Sequence, residues 1–341
     1  MTAVAQPSVA PQAAVLPYRG FAVHVARTRR LSPSFLRMTF SGPDLDEFGT
    51  DGLDQRIKLV LPMRRGEVLD PADFSSPDWY AAWRQRPDHE RNPLRTYTVR
   101  AVRPAQREVD VDVVLHGVSP GAVTTRGCGL AEVLGCACAD DAAGPAVRWC
   151  AAARTGDPIV LIGPDGRWTG APSGIEFRPP ADAATYLLAG DETAVPALCA
   201  ILESLPADAR GYAYLEVPTE HDVLDVRSPA GVDVRWLPRS RRDVPSAAPH
   251  GRPMSEAVRT TAGRLARASA AGIEPEDVDV EHAILWDVPS SASAPDGLYA
   301  WIAGEAGVIR DLRRHLVRDI GMDRGAVAFM GYWRTGRSEA A

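Results

Sequence analysis

The sequence lacks most of the short signatures that assign a chemistry at sight. No GxGxxG opens a helix, so the usual dinucleotide-binding fingerprint is missing. Neither GxxxxGK(S/T) nor HExxH occurs, which argues against ATP-hydrolysing and zinc-protease readings. Cysteines number only five, and an odd count in a chain of this size does not describe a disulfide framework. No apolar run approaches the roughly 18 residues that a membrane helix needs. Nor is there a surplus of positive charge. The net charge is −6, so no global basic field gathers nucleic acid or anionic lipid. An anionic ligand must be held by local basic residues. Met1 to Pro17 has no basic start and no long apolar core, so it reads as a disordered tail rather than a signal peptide. These absences describe a soluble, cytoplasmic protein with no nucleic-acid partner and no membrane insertion. No long coiled or exposed apolar face is evident, which suggests a monomer.

The bulk of the chain is that of an ordinary globular protein. Its 341 residues suggest two domains, or one large one. The first half is β-rich. Phe21 to Arg29, Phe35 to Ser41, Arg56 to Leu61, Arg95 to Val102, Glu108 to His116 and Pro158 to Gly163 read as strands. Short strands separated by Gly and Pro turns imply a closed antiparallel barrel. In the second half, strands at Thr185 to Ala189, Tyr212 to Val217, Val232 to Leu237, Tyr299 to Ala303 and Ala326 to Trp333 alternate with helices. Those helices are expected at Ala194 to Leu205, Ser255 to Ser269 and Glu305 to Ile320. Alternation of this kind implies a doubly wound parallel sheet. The expected division is residues 18–175 for the barrel and 183–337 for the α/β unit. Residues 118–143, 243–253 and 270–296 read as insertions.

Three segments carry the chemistry. Arg95-Thr96-Tyr97-Thr98 lies on a strand and suits a flavin. Arg can pair with pyrophosphate, Tyr can cover the ring and Thr can hydrogen-bond its edge. A surface strand of alternating polar residues looks the same. The second segment is Asp112 to Gly117 followed by Gly144-Pro145-Ala146-Val147-Arg148-Trp149. There a small-residue turn opens a short helix whose free N–H groups suit a phosphate; a plain turn is the alternative. The third is Gly190-Asp191-Glu192-Thr193-Ala194, with Trp301 to Glu305 and Gly331-Tyr332-Trp333-Arg334. Two of these place a Gly and an acid just past a parallel strand, where ligands of such sheets bind. Helix capping by Asp191 or Thr193 is the competing explanation.

Taken in order, these segments resemble the siderophore-interacting proteins, a ferric-siderophore reductase branch of the ferredoxin-reductase-like superfamily. RIKLVLP, PLRTYTVR, VDVVLHG, GPAVRW, GDPIVLIGP, LLAGDETAVPA, WLPR, YAWIAGE and GYWRTG carry the likeness, from about residue 20 to residue 337. The resemblance implies an FAD-binding barrel followed by a nicotinamide-nucleotide domain. It places Arg95, Tyr97 and Thr98 on FAD, with Thr98 near the reactive nitrogen, and His116, Gly144, Ala146 and Trp149 along the rest of that cofactor. Asp191, Glu192, Thr193 and Ala194 would flank NADPH or NADH, with Glu305 nearby. Arg239, in a basic cluster with Arg241 and Arg242, is the candidate for a 2′-phosphate, which makes NADPH the expected donor. Lys58 and Arg148 would face a ferric siderophore. Val147 departs from the Ser usual after GPA and removes a hydroxyl from the cofactor phosphate. Cys128, Cys136, Cys138 and Cys150 have no recognisable ligand spacing and read as reduced thiols, with a metal site as the lesser alternative.

The implied activity is transfer of electrons from NAD(P)H through FAD to siderophore-bound Fe(III). Two other readings compete. One is a general NAD(P)H:flavin or quinone reductase on the same fold. The other is a siderophore-binding protein without turnover, against which the Arg-x-Tyr-Thr segment argues.

Overall fold

The computed structural model describes residues 15–50, 52–115, 144–242, 246–265, 285–289 and 297–336. Six strands form the first half: β1 (Tyr18–Arg30), β2 (Phe35–Ser41), β3 (Arg56–Val60), β4 (Leu94–Arg103), β5 (Glu108–Val114) and β6 (Pro158–Pro164). They close into an antiparallel barrel in the order β1-β2-β5-β4-β3-β6. β5 shows why this sequence makes a barrel. Val109, Val111 and Val113 point into the apolar interior. Asp110 and Asp112 alternate with them and bind Arg103 and Arg37 through paired hydrogen bonds of 2.6–2.8 Å. Among the described residues, two α-helices complete this half. α1 (Trp79–Gln85), unforeseen from the sequence, belongs to a long β3–β4 excursion. Phe74 and Trp83 of that excursion pack with Val60, Leu94, Val160 and Ile162. α2 (Pro145–Ala152) sends Ala146, Val147, Trp149 and Cys150 into the barrel cluster.

The second half comprises β7 (Thr185–Gly190), α3 (Val195–Ser204), β8 (Arg210–Thr219), β9 (Gly231–Ser240), α4 (Arg252–Leu265), β10 (Trp286–Asp287), β11 (Leu298–Glu305), α5 (Ala306–Arg314) and β12 (Val327–Trp333). The sheet order is β10-β12-β11-β7-β8-β9, parallel except for β10, which runs antiparallel to β12. β11 is apolar on both faces: Tyr299, Trp301 and Ala303 join one core with α3, and Leu298, Ala300 and Ile302 join the other with α4 and α5. A strand covered on both faces belongs to a doubly wound sheet. The single helix expected from Glu305 to Ile320 is α5 continued by a π-helical turn at His315–Asp319.

The halves are joined by polar groups buried between them. Asp54 is fully buried and accepts from the N–H groups of Glu176 and Phe177 at 3.0–3.2 Å and from Trp301 Nε1 at 3.1 Å. Arg100 of β4 is bidentate on Glu203 of α3 at 2.7 and 2.8 Å. Phe35 and Val114 leave the barrel strands to join the α3-side core. Burial pushes the Asp54 carboxyl up to about 6, and the Glu176 charge adds to it against the pull of the N–H donors. A raised acid binds its proton more tightly in the folded chain than in the unfolded one. Its contribution to stability is therefore lost as pH rises from about 4 to about 6. Asp54→Asn cannot titrate, so between about pH 4.5 and about pH 6.5 its melting temperature should fall less than that of wild type. Parallel pH profiles for the two proteins would exclude Asp54 as the titrating group.

Candidate cofactor and substrate site

The barrel side is built on β3, β4 and α2. Alternation along β4 sends Arg95 and Tyr97 to one face and Thr96 and Thr98 to the other. Tyr97 packs against the barrel cluster. Thr98 is buried, and its register partner is Arg56. Arg56 stands at the junction, paired with Glu176 at 2.6 and 3.1 Å and 4.8 Å from the Trp286 ring. Lys58 is the register partner of Thr96, and its Nζ donates to Thr96 Oγ1 at 3.1 Å. Arg95 donates Nη1 to the Leu94 carbonyl at 2.6 Å. The ends of these strands meet α2 in a cleft lined by Leu61, Pro62, Pro93, Pro145, Arg148 and Trp149.

The α2 N-terminus fits an anionic group. Gly144 is its N-cap, and among the described residues no side chain caps it and none lies within 4 Å of a Cβ added at Gly144. Pro145 has no N–H to lose at that position. The first N–H groups of such a helix have no partner within it, and the positive end of the helix dipole adds to their pull on an anion. Val147 is buried among the barrel's apolar side chains, so it contributes packing rather than a donor. His116 and Cys128, Cys136 and Cys138 lie outside the described residues. Cys150 faces the barrel core, where burial pushes its thiol up to about 12.

The sheet side is a cluster of acids at the carboxyl ends of the parallel strands. Asp191 follows β7 and is completely buried. Its Oδ1 accepts from Thr193 N at 2.9 Å and Thr193 Oγ1 at 2.5 Å. Its Oδ2 accepts from Glu305 N at 2.9 Å and Trp333 Nε1 at 2.8 Å. One carboxyl thus ties together the ends of β7, β11 and β12. Gly304 makes room for it: at φ +152°, a Cβ there would lie 2.6 Å from Asp191 Oδ2. Glu305 caps α5 through Val308 N at 3.0 Å. Ala194 is buried at the start of α3.

Glu192 is bidentate with Arg239 at 2.6 and 2.8 Å, and Arg239 also reaches Glu216 at 3.1 Å. Glu216 lies within β8, fully buried, and accepts from Gly251 N at 2.6 Å and Met254 N at 3.0 Å. His250 Nε2 stands 3.3 Å from Glu192 and 3.7 Å from Asp191, with its ring edge-on to Trp333 at 5.0 Å. Burial and the Glu192 charge hold Asp191 above the usual carboxylate range. Burial works against Glu192 too, but His250 and Arg239 pull it below that range. Burial alone would lower His250; Glu192 and Asp191 overrule it and raise it.

Asp191, Glu192, Thr193 and Ala194, which the sequence grouped with Glu305, follow one strand, and Glu305 meets them through Asp191. For Arg239 the geometry differs from the expectation, because its guanidinium is committed to Glu192 and Glu216 rather than open to a phosphate. Glu216 and His250 were missed. Glu216 is one acid within an apolar strand, which is a readable signal. His250 gave none, since it sits in the Pro- and Ala-rich stretch read as a surface insertion.

The comparisons agree with this architecture. Residues 24–168 match the siderophore-interacting FAD-binding domain, and residues 183–336 match the siderophore-interacting protein model. The chain belongs to the siderophore-interacting protein family. An uncharacterized protein of Mycobacterium tuberculosis is 33% identical over 322 residues, covering 93% of this chain and 91% of its own. The ferric vibriobactin reductase ViuB of Vibrio cholerae is 29% identical over 315 residues, covering 92% and 89%. The siderophore-interacting protein SipS from Aeromonas hydrophila superposes with a TM-score of 0.59 at 26% identity, covering 95% and 94%. Among the described residues, no helix is long and apolar enough to cross a membrane.

Proposed function

We propose that the chain is a cytoplasmic ferric-siderophore reductase that draws on NAD(P)H and holds FAD. The observation that carries this reading is the pairing of two sites in a family member. The glycine-capped N-terminus of α2 lies beside the β3/β4 cleft, and an acid cluster lies at the strand ends of the second sheet. Bound FAD would supply the conversion this reaction needs, since it accepts a two-electron hydride from nicotinamide and passes electrons singly to ferric iron. Arg95, Gly144 and the Ala146 N–H would hold its phosphates, while Tyr97, Thr98 and Trp149 would line the rest. Asp191, Glu192, Thr193, Ala194 and Glu305 would flank the nicotinamide nucleotide. Lys58 and Arg148 would attract the siderophore, so an acidic chain can still receive an anionic complex. The iron is substrate, not a resident metal.

The test is anaerobic Fe(II) release from a panel of ferric siderophores, trapped by a ferrous chelator, with each donor. Release that requires both FAD and a nicotinamide donor is the expected result. Much faster reduction of free flavin or quinone than of any ferric siderophore would favour a general reductase. Protein that cannot be reconstituted with FAD would favour a carrier.

Lys58 is the chain's only lysine; every other fixed side-chain cation is an arginine. Lys58→Ala should raise KM for anionic ferric siderophores while sparing flavin content. If attraction is by charge, wild-type KM should rise with salt and the variant should respond less. Equal salt dependence would remove Lys58 from the substrate site.

A further inference from the structure

The two nicotinamide nucleotides differ by one phosphate on the adenosine ribose. Taking that phosphate requires a cation free to turn toward it, and an Arg does so with two parallel hydrogen bonds. Arg239 occupies the strand end where such a cation is expected, but it is already held. Its Nη1 and Nη2 donate to the two Glu192 oxygens at 2.6 and 2.8 Å, and Nη1 also donates to Glu216 at 3.1 Å. Glu216 cannot swing away, because the Gly251 and Met254 N–H groups fix both its oxygens. One guanidinium therefore faces two buried carboxylates, with Asp191 adjacent in the chain. A dianionic phosphate entering here would have to break the bidentate pair and then lie against the carboxylates it displaced. Arg242, further along the same basic stretch, is largely exposed and meets Glu220 at 3.1 Å in a surface pair that solvent screens, away from the buried acids. A ribose hydroxyl makes no such demand. It is neutral, and an acid at a strand end can accept its hydrogen bond.

We propose that Glu192, clamped by Arg239 over Glu216, is the donor-selectivity element, and that the chain takes NADH in preference to NADPH. This inference rests on the nicotinamide-dependent reading above. The experiment uses the FAD-loaded protein with ferricyanide as acceptor, so that siderophore preference does not enter. Wild type should show kcat/KM for NADH at least about tenfold above that for NADPH. Glu192→Gln keeps the shape but removes one charge and the bidentate clamp. The NADH-to-NADPH ratio should then fall by about tenfold or more. A wild type that prefers NADPH, or a ratio unmoved in Glu192→Gln, overturns the proposal. Flavin that dithionite reduces but neither nucleotide does would overturn the nicotinamide reading itself, and this inference with it. Should Glu192→Gln fail to fold, binding of 5′-AMP and 2′,5′-ADP to wild-type protein decides. Tighter binding of 5′-AMP is expected, and equal or tighter binding of 2′,5′-ADP overturns the assignment.

Discussion

Asp191→Leu is expected to lower the chain's stability by about 4 kcal/mol and to abolish reduction by nicotinamide nucleotides. Leucine fills a similar volume but accepts nothing. The N–H groups of Thr193 and Glu305 and the Trp333 indole would all lose their acceptor. Asp191 is completely buried, so water does not readily replace it. Each buried donor left unsatisfied costs about 1–3 kcal/mol, and neighbouring losses do not add fully. Denaturant unfolding of wild type and variant measures the difference. Asp191→Asn should fall between them, because its carbonyl oxygen still serves one side of the cluster. A cost of under about 1 kcal/mol for leucine would mean that the three donors find other partners. Gly304→Ala approaches the same cluster from outside. Its methyl group would press on Asp191 Oδ2, so it should destabilise while leaving every hydrogen-bonding residue in place.

Arg95→Ala should weaken FAD binding roughly 10- to 100-fold, the equivalent of one charge-assisted contact worth about 1.5–3 kcal/mol. Flavin content after purification and fluorescence titration of the apoprotein both report it. Arg95→Lys keeps the charge but loses the planar fork, so it should retain part of the affinity. Full flavin occupancy in Arg95→Ala would show that the pyrophosphate is held elsewhere, with the α2 N-terminus as the next candidate.

The fold was legible where the sequence alternates cleanly. β5 alternates Val with Asp, and β7 and β11 are apolar on both faces between turn residues. Such patterns leave few choices of element or class. The β3–β4 excursion was not legible, because its aromatics pack on the outer face of the barrel and α1 is too short to show a period. The π-helical end of α5 was equally hidden, since it lacks a sequence mark of its own. At the site, residues at the ends of recognisable parallel strands, Asp191 to Ala194 and Glu305, were found together, and those reaching it from elsewhere were not. Asp191 to Ala194 form one loop. Glu216 and His250 reach the same place from a strand interior and from the stretch before α4. Arg239 was assigned by position alone. Its partners, 23 and 47 residues away, decide what its charge does.

The junction has a consequence for anyone who would take the chain apart. Cutting between β6 and β7 looks attractive, because residues 169–182 separate the two family matches. The cut would separate Asp54 from Trp301, and Ser32 and Ser34 from Asp222. It would also strand Phe35, which belongs to the opposite half's core, on a bare barrel. Separately expressed halves should therefore be sticky and short-lived. Chimeras with relatives should work only when the crossover carries Asp54, Glu176, Phe177 and Trp301 over as one inherited unit.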